Sequence, residues 1–425
     1  MHLKFTLFTL AMTASAIFAP AKEQLIVVNE GSWGQDNGRL SYFVDGNIVS
    51  NNWFEEINNS KIGDTPNDIT LINGSQIAIA VNTSNIIHII KPDGTAIAAI
   101  EDIPNCRKLA TDGNYLYATS YAHEIEIDGT TKTFTKGYVA KIDVATFKVV
   151  AVCEVGYEPE GIAVYKGHLF VANSGGYSYS ENHDYEQTVS VVDAETMNVV
   201  RTVDTGKINL YGNMSQSGKY LCINSVGDYG ANGPATVIMD CDKVLANAPD
   251  SECSKAMPYA STYNTKAADG NFYAIGSQYS MSTGGYVYNY ININPEVVMS
   301  QGSEAGVSTT FPGSVIENIK DFAQPYGIYV NPYSGYIYAT DAVSNTSAGK
   351  LHQWDPKGNY IGEWRLYMNP GHFLALPDAN SIENIISSDF DNTDAPVYNL
   401  QGMRVTRLVP GQIYIRNGRK FLHLE

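Results

Sequence analysis

The unit that decides the fold occupies residues 159–206 and reads PEGIAVYKGHLFVANSGGYSYSENHDYEQTVSVVDAETMNVVRTVDTG. A proline opens a short apolar strand, a second apolar strand ends at Asn173, and a polar loop follows. Residues 189–203 then carry two valine-rich runs on either side of the polar turn DAETMN. Runs of β-branched residues separated by turn residues are typical of antiparallel strands. The stretch therefore predicts one four-stranded unit.

The same unit recurs along the chain. Each copy has a strand that ends in a small or polar residue, and the spacings between these positions are 53, 38, 53, 51, 52 and 65 residues, for Asn29, Asn82, Ser120, Asn173, Asn224, Gly276 and Asp341. In six copies, the residue that ends the strand lies 13 or 15 positions after the start of the preceding strand. The two intervals differ by two, which preserves the alternation of side chains in a strand pair. The repeats predict an all-β fold, a seven-bladed β-propeller.

The first repeat lacks an inner strand at the N-terminal end, because the unit begins directly at residues 25–29 (LIVVN). Residues 370–376 (PGHFLAL) repeat the proline-led pattern after the last hairpin. We expect this C-terminal strand to complete the first blade and so to close the ring. The propeller is then a single domain over residues 22–377.

The two ends of the chain differ in composition from the repeats. Residues 1–21 combine a basic start, an apolar run and Ala19-Pro20-Ala21, the pattern of a secretory signal peptide. No later apolar run has membrane-spanning length. Residues 378–396 hold five acidic and no basic side chains and predict a solvated linker. Residues 397–425 are basic and alternate like two or three short strands, which predicts a short C-terminal β tail or an extra hairpin packed on the propeller.

Charge and cysteine content exclude several classes of protein. The 425 residues include 44 Asp and Glu against 27 Lys and Arg, a net charge of −17. So acidic a surface repels phosphates, and we expect no nucleic-acid partner. Among the five cysteines, Cys222 and Cys241 lie on strands read as neighbours, so they either pair or act as small buried apolar residues. No C-x-x-C spacing supports a zinc or thiol-redox site.

The repeat resembles the YVTN and YncE-like propellers. The shared pattern is Pro-x-Gly-Ile, an apolar strand ending in Asn, and V-x-V-x-D-x-x-T-x-x-V-V-x-T-V-x-x-G, as at residues 189–206. It covers nearly all of residues 25–376, most clearly in blades 3, 4 and 7 and least clearly in blades 5 and 6. Residues 28–33 (VNEGSW) and 38–42 (GRLSY) are similar to a Bacteroidetes surface branch that includes the cobalamin-capturing propellers of the outer-membrane vitamin B12 transporter. Residues 397–425 resemble the sorting tails of type IX secretion.

The resemblance implies a location, a ligand and a partner. It implies a monomer exported to the extracellular side or the outer-membrane surface of a Gram-negative bacterium. The implied role is capture of a corrinoid for uptake by an outer-membrane transporter. A sorting tail would take the place of the lipid anchor that the B12-capturing relatives carry, which weakens the assumption that the partner is the same.

Candidate binding residues lie where the loops and the starts of the inner strands emerge around the channel. Aromatic side chains are concentrated there and offer rigid contact area, while polar groups fix orientation. Such a surface suits a small molecule that is bulky and partly flat, a corrinoid or a glycan. Each tyrosine has the alternative role of covering a loop or filling a gap between blades. The candidates are Trp33, Asn82, Tyr121, His123, Asn173, Tyr177, Tyr179, Tyr211, Asn224, Tyr229, Tyr279, Tyr326, Asp341 and His372.

Two further functions stay open at this stage. A calcium-dependent enzyme similar to the sugar lactonases would use oxygen ligands at the channel mouth, for which Glu160, Asn173, Asn224 and Asp341 occupy suitable repeat positions. The same side chains have an alternative role in bonding their own loop backbone. A protein-interaction scaffold would use the same face or the blade edges. No Gly-x-Ser-x-Gly, His-Glu-x-x-His or phosphate loop is present, so we expect a binding protein with no catalytic residue and no resident cofactor.

Overall fold

The computed structural model describes residues 23–280 and 285–377, and the short strands at 397–398, 404–405, 413–416 and 419–422. Residues 23–376 form one compact unit, and the strands near the C-terminus belong to another. The predicted signal peptide (1–21) and acidic linker (378–396) lie outside the described residues. None of the helices in the described part of the chain has the length and apolar character of a membrane span.

Seven four-stranded antiparallel sheets form the blades of the propeller. Blade 1 contains β1 (Gln24–Asn29), β2 (Arg39–Val44) and β3 (Asn47–Ser50), and blade 2 contains β4 (Pro66–Leu71), β5 (Ile77–Val81), β6 (Ile86–Ile90) and β7 (Ala96–Ile100). Blade 3 contains β8 (Cys106–Thr111), β9 (Tyr115–Ser120), β12 (Tyr138–Asp143) and β13 (Lys148–Glu154). The hairpin of β10 (Glu124–Ile127) and β11 (Thr130–Thr133) is inserted between β9 and β12. Blades 4 and 5 contain β14 (Pro159–Tyr165), β15 (His168–Asn173), β16 (Thr188–Asp193), β17 (Asn198–Asp204); and β18 (Met214–Ser217), β19 (Tyr220–Ser225), β20 (Ala235–Asp240), β21 (Ser254–Met257). Blades 6 and 7 contain β22 (Tyr263–Lys266), β23 (Phe272–Ser280), β24 (Gly285–Ile293), β25 (Val307–Ser308); and β26 (Pro325–Val330), β27 (Ile337–Asp341), β28 (Lys350–Trp354), β29 (Tyr360–Arg365).

A strand from the far end of the domain closes the ring. β30 (Pro370–Leu376) pairs antiparallel with β1, so that Leu376 lies opposite Gln24 and Phe373 opposite Val27. It is thereby the inner strand of blade 1. The inner strands contact one another in the order β4, β8, β14, β18, β22, β26 and β30, and β30 contacts β4 again. The predicted seven-bladed β-propeller with closure by a C-terminal inner strand is confirmed.

The core lies between the blades. The middle strands are covered on both faces by neighbouring blades, and all five residues of β5 are buried, which explains their nearly continuous apolar sequences. Between blades 4 and 5, for example, Phe170, Val191, Leu221 and Val237 pack together. The outermost strands are more exposed and carry the alternating pattern of a half-covered strand.

The inner strands approach one another closely at the axis. A Cβ on Gly161 would lie 2.7 Å from Met214 Cβ, and one on Gly327 would lie 2.7 Å from the ring of Phe373. The third position of the Pro-x-Gly-Ile pattern is therefore glycine where an adjacent inner strand leaves no room for a side chain. The strand pairings shift register beside these positions in β4, β8, β14 and β26. Such bulges redirect side chains locally.

Helices lie between the propeller strands, mainly around blades 5 and 6, and they explain why the repeat is weak there. α1 (Trp53–Asn58) follows β3, and the others are α2 (Cys241–Leu245), α3 (Asp250–Cys253), α4 (Pro295–Gln301) and α5 (Val315–Ile319). The side chain of Asp240 caps α2 by accepting from the backbone N–H groups of Asp242 and Lys243. Short helices thus replace the tight hairpin turns of the other blades.

The five cysteines are all free and buried, and all lie in the described part of the chain. Cys222 lies opposite Ile238 in the β19–β20 pair, whereas Cys241 lies three residues further on at the start of α2. That offset explains why the two do not pair, and of the two alternatives the buried apolar role is the correct one. Burial raises the pKa of the Cys106 thiol to about 12 and that of the Cys153 thiol to about 11.

The tail contains a small antiparallel sheet. Its order is β32-β31-β33-β34, for β31 (Val397–Tyr398), β32 (Arg404–Val405), β33 (Ile413–Arg416) and β34 (Arg419–Leu422). The sequence predicted two or three strands here, and the structure has four.

Ring closure can be tested by truncation. A chain that ends at Pro377 keeps β30, and we expect one cooperative unfolding transition in urea. A chain that ends at Asn369 loses β30 and leaves β1 without its inner partner, so its transition should broaden and move to lower urea. Equal urea midpoints for the two chains would contradict closure by β30.

Candidate functional site

A cavity of about 630 Å³ lies at the axis of the propeller. Its walls come from residues at or beside the start of all seven inner strands, and its volume is in the range of small-molecule sites. Around the ring, these residues are Asn67, Arg107, Glu160, Asn213, Tyr263, Tyr326 and His372.

A buried ion pair crosses one side of the cavity. Arg107 donates to Glu160 Oε1 from Nη2 at 2.6 Å and from Nε at 3.0 Å, and the Tyr121 hydroxyl donates to the same oxygen. The Glu160 side chain is fully buried and that of Arg107 is 13% exposed. Burial by itself lowers the pKa of Arg107, but Glu160, Tyr121 and Tyr211 together outweigh it and hold that pKa well above its usual value. The other carboxylate oxygen, Glu160 Oε2, has no hydrogen-bond partner among the described residues.

Aromatic rings support this pair. The guanidinium carbon of Arg107 lies 4.7 Å from the ring centroid of Tyr121 and 5.9 Å from that of Tyr211. Nη2 of Arg107 also donates to the Tyr211 hydroxyl at 3.3 Å. Cation–π contacts strengthen when they are desolvated, so the rings help to hold the guanidinium in place.

A second polar cluster lies where the ring closes. His372 Nε2 is 2.8 Å from Glu30 Oε1, and the Tyr326 hydroxyl donates to Glu30 Oε2 at 2.8 Å. Burial and the charge of Lys108 lower the pKa of His372 more than Glu30 raises it, so the ring is neutral and Nε2–H donates. Burial alone would raise the pKa of Glu30, but the hydrogen bonds from His372 and Tyr326 and the charge of Lys108 hold it below its usual value. His372 Nδ1 remains as an acceptor without a partner among the described residues.

Charge in the cavity is balanced. Arg107 and Lys108 contribute two positive charges, Glu30 and Glu160 contribute two negative charges, and no other Asp, Glu, Lys or Arg among the described residues lines it. Lys108 is buried, and its amine donates to the backbone carbonyl of Asn67 at 2.6 Å. The formal sum is zero within a chain whose net charge is −17. The cavity therefore presents both donors and acceptors without net charge.

The structure brings some of the predicted residues to this cavity and places others elsewhere. Tyr211, Tyr326 and His372 line it, together with Glu160. Tyr121 lies directly behind Glu160, and Tyr177 packs edge-to-face on Tyr121 at 5.3 Å between ring centroids. The remaining predicted aromatic residues do not line the cavity; they are Trp33, Tyr179 and Tyr229, with exposed fractions of 81%, 78% and 85%. The side chain of Tyr279 lies outside the described residues.

Four of the polar residues that mark the repeats form hydrogen bonds within their own blade or to the adjoining blade or loop. Asn82 donates to Asn105 Oδ1 and to the carbonyl of Cys106. The side-chain oxygen of Asn173 accepts a hydrogen bond from the backbone amide of Gly156, and that of Asn224 accepts from the side chains of Ser261 and Asn264. The carboxylate of Asp341 accepts from three backbone amides of neighbouring loops. Of the four candidate calcium ligands, only Glu160 lines the cavity. This arrangement gives the calcium alternative no support.

The charged wall is the part that the sequence reasoning missed. Glu30, Arg107, Lys108 and Asn67 were not predicted as site residues, because charged side chains at strand starts are less distinctive in the sequence than the clustered aromatic ones. Their position in the strand was nevertheless a usable signal. The second residue of β4, β8, β14 and β26 lines the cavity in each case; these residues are Asn67, Arg107, Glu160 and Tyr326.

The sequence matches no protein-family model and no curated protein. Among solved structures, it is similar to hydrazine synthase from Kuenenia stuttgartiensis, with 14% identity and a TM-score of 0.50 over 72% of this chain and 88% of that chain. It is also similar to a functionally unknown protein from Desulfotomaculum acetoxidans DSM 771, with 12% identity and a TM-score of 0.50 over 84% of this chain and 99% of that one. Identities this low show the fold alone. By its fold, the chain is a seven-bladed β-propeller protein.

The buried ion pair makes a prediction about stability. Arg107→Met would leave the Glu160 carboxylate buried without a countercharge, so we expect the free energy of unfolding to fall by about 3–5 kcal/mol. The double variant Arg107→Met/Glu160→Gln removes both charges and should recover most of that loss. Urea unfolding measures both. A wild-type midpoint for Arg107→Met alone would show that the pair is not desolvated in solution.

The neutral state of His372 predicts a pH dependence. Its pKa in the folded chain is below 6.5, so below about pH 6.5 the unfolded chain takes up a proton that the folded chain resists. Stability should therefore fall from that pH down to the folded-state pKa. Glu30 has a pKa below 4.5 in the folded chain, so its ionised carboxylate stabilises the fold at pH values above 4.5. This contribution is lost only at lower pH, as the pH falls through the pKa of Glu30 in the folded chain.

His372→Gln removes this titration and keeps a donor for Glu30. Between about pH 7.5 and 5.5, its urea midpoint should decline less than that of the wild type. His168→Gln, at a histidine outside the cavity, is the matched control and should follow the wild-type decline. Parallel decline in His372→Gln and the wild type would mean that His372 is already protonated in the folded chain.

Proposed function

We propose that this protein is an exported, YncE-like ligand-binding propeller of the Bacteroidetes surface branch, and that its axial cavity captures a corrinoid for uptake across the outer membrane. The proposal concerns binding without chemistry. The balanced charge of the cavity carries it, because a balanced set of buried donors and acceptors favours an uncharged ligand with polar edges over an ion.

The chemistry of the walls matches such a ligand. Arg107 and Lys108 carry donors suited to amide carbonyls, and Glu160 and His372 each keep a buried acceptor atom, Oε2 and Nδ1, without a partner among the described residues. Tyr211, at the rim beside Arg107, offers a ring face of the kind that packs on a flat ligand. A corrin ring edged with amides has this combination of features. A glycan shares the flat faces but presents hydroxyls in place of amides.

Export is supported by the sequence pattern of residues 1–21, and surface delivery by the resemblance of residues 397–425 to sorting tails. An outer-membrane transporter as partner follows only from the resemblance to the B12-capturing branch. These parts of the proposal are independent of the cavity. They are tested by the location of the protein in fractionated cells.

The binding proposal is tested by isothermal titration of cyanocobalamin into the chain that ends at Pro377. We expect saturable binding that weakens at least about tenfold, or ~1.4 kcal/mol, in Tyr211→Ala. Tyr179→Ala is the matched control, because that tyrosine is exposed and lies outside the cavity, and it should bind as the wild type does.

The other outcomes separate the alternatives. Saturable binding of neutral oligosaccharides, with no heat from cyanocobalamin, would replace the corrinoid by a glycan in the same cavity. No binding of either class would reject the ligand-binding proposal and favour a protein-interaction scaffold. Equal loss in Tyr211→Ala and Tyr179→Ala would move the site from the cavity to the outer loops.

A further inference from the structure

Four side chains of metal-binding type meet where loops of blades 3 and 4 adjoin. His123 follows β9, Glu158 directly precedes β14, and Glu181 and His183 lie in the loop between β15 and β16. Ligand atoms of His123, Glu158 and Glu181 lie within 4.8 Å of one another. None of the four lines the axial cavity, so this histidine–glutamate cluster is a separate feature.

His183 points its free nitrogen into the cluster. Its side chain is only 6% exposed, and Nε2 lies 3.4 Å from Glu158 Oε2 and 3.6 Å from Glu181 Oε2. Nε2 is buried and has no hydrogen-bond partner among the described residues. On the other side of the ring, Nδ1 is 3.0 Å from the backbone carbonyl of Asp184, which can only accept a hydrogen bond. Nδ1 therefore donates to that carbonyl, and Nε2 is the ring nitrogen that faces the two carboxylates.

This is the arrangement found around metal-bound histidines. The nitrogen that does not bind the metal usually donates to a carbonyl or carboxylate, which fixes the tautomer and the ring orientation. The ring of Tyr157 stacks on His183 with centroids 3.9 Å apart and an interplanar angle of 12°. The imidazole is thus held in place before any ion binds.

Glu158 is a buried carboxylate that needs a positive charge. It is 1% exposed, and within the described part of the chain no Lys or Arg lies within 4.0 Å of it. Its Oε2 accepts from the backbone N–H of Tyr177 at 3.2 Å. Its own carbonyl accepts from the amide and the hydroxyl of Ser174, which fixes the backbone. Burial of a carboxylate is costly unless a cation or several donors compensate it.

The type of the ligand atoms, together with the two shortest spacings, favours zinc. A tetrahedral zinc site with bonds of about 2.0–2.2 Å has ligand–ligand distances of about 3.3–3.6 Å. The distances from His183 Nε2 to the two carboxylates, 3.4 and 3.6 Å, fall in this range, and His123 Nε2 lies 3.9 Å from Glu181 Oε2. Imidazole nitrogens suit zinc and its first-row neighbours, whereas Ca²⁺ and Mg²⁺ prefer oxygen ligands alone.

We propose that His123, Glu158, Glu181 and His183 form a structural zinc site that joins the loops of blades 3 and 4. Four protein ligands close the coordination sphere, which is the pattern of a structural site rather than a catalytic one. Glu158 precedes Glu160 by two residues, and Tyr177 contacts both Glu158 and Tyr121. The ion therefore fixes the loops that support the Arg107–Glu160 side of the cavity.

The site is tested by titrating Zn²⁺ into the full chain after removal of metals with a chelator. We expect one Zn²⁺ per chain and a higher thermal unfolding midpoint with zinc than without it. His183→Ala and Glu181→Gln should each weaken zinc binding at least about tenfold. His168→Ala, the same change at a histidine outside the cluster, should bind as the wild type does. Co²⁺ in place of Zn²⁺ should give the intense visible absorption of a tetrahedral site.

The result is independent of the ligand in the axial cavity. Glu181 is exposed, so Glu181→Gln keeps the test decisive even where His183→Ala fails to fold. The proposal is overturned if zinc does not bind saturably, if Glu181→Gln binds zinc as tightly as the wild type, or if His168→Ala loses as much affinity as the cluster variants.

Discussion

The pairing of β30 with β1 is the constraint on which the rest of the structure depends. It makes the last residues of the domain the inner strand of the first blade, so seven inner strands close into a ring. The closed ring sets how near these strands come to the axis, to the point where Gly161 and Gly327 have no room for a side chain. Ring closure therefore sets the width of the cavity and fixes which residues face it. It also joins Glu30, near the first strand, to His372 in the last one.

The polar side chains Lys108, Glu160 and His372 at the axis are buried, and desolvation therefore governs them. The residues there are consequently paired: Arg107 with Glu160, and Glu30 with His372 and Tyr326. Each pair leaves one acceptor without a partner in the described structure, Glu160 Oε2 and His372 Nδ1. The same physics appears outside the axis, where the buried Glu158 carboxylate meets His183 rather than a lysine or arginine. Both places therefore hold buried polar atoms that the described residues leave without a hydrogen-bond partner.

The fold could be predicted from the sequence because its signals are local and repeated. Polar residues at strand ends, such as Asn173 and Asn224, recur at blade intervals, and Pro370–Leu376 carries the pattern that the first blade lacks. The site could be predicted only in part. Tyr211, Tyr326 and His372 were found by their places at the inner strands, whereas Trp33, Tyr179 and Tyr229 were predicted from their loops and lie outside the cavity. The sequence around an aromatic residue in a loop does not indicate whether its side chain lies at the axis or at the outer surface of the propeller.

By itself, the sequence determined the repeat, the number of blades and the closing strand, because strand alternation and turn residues are written within a few residues of each other. Only the tertiary structure decided the chemistry of the cavity and of the histidine–glutamate cluster. Arg107 and Glu160 are 53 residues apart, and Glu30 and His372 are 342 apart. His123 and Glu181 come from different blades. Contacts between blades depend on ring geometry rather than on neighbouring residues, so burial, pairing and unpaired acceptors appear only once the ring is closed.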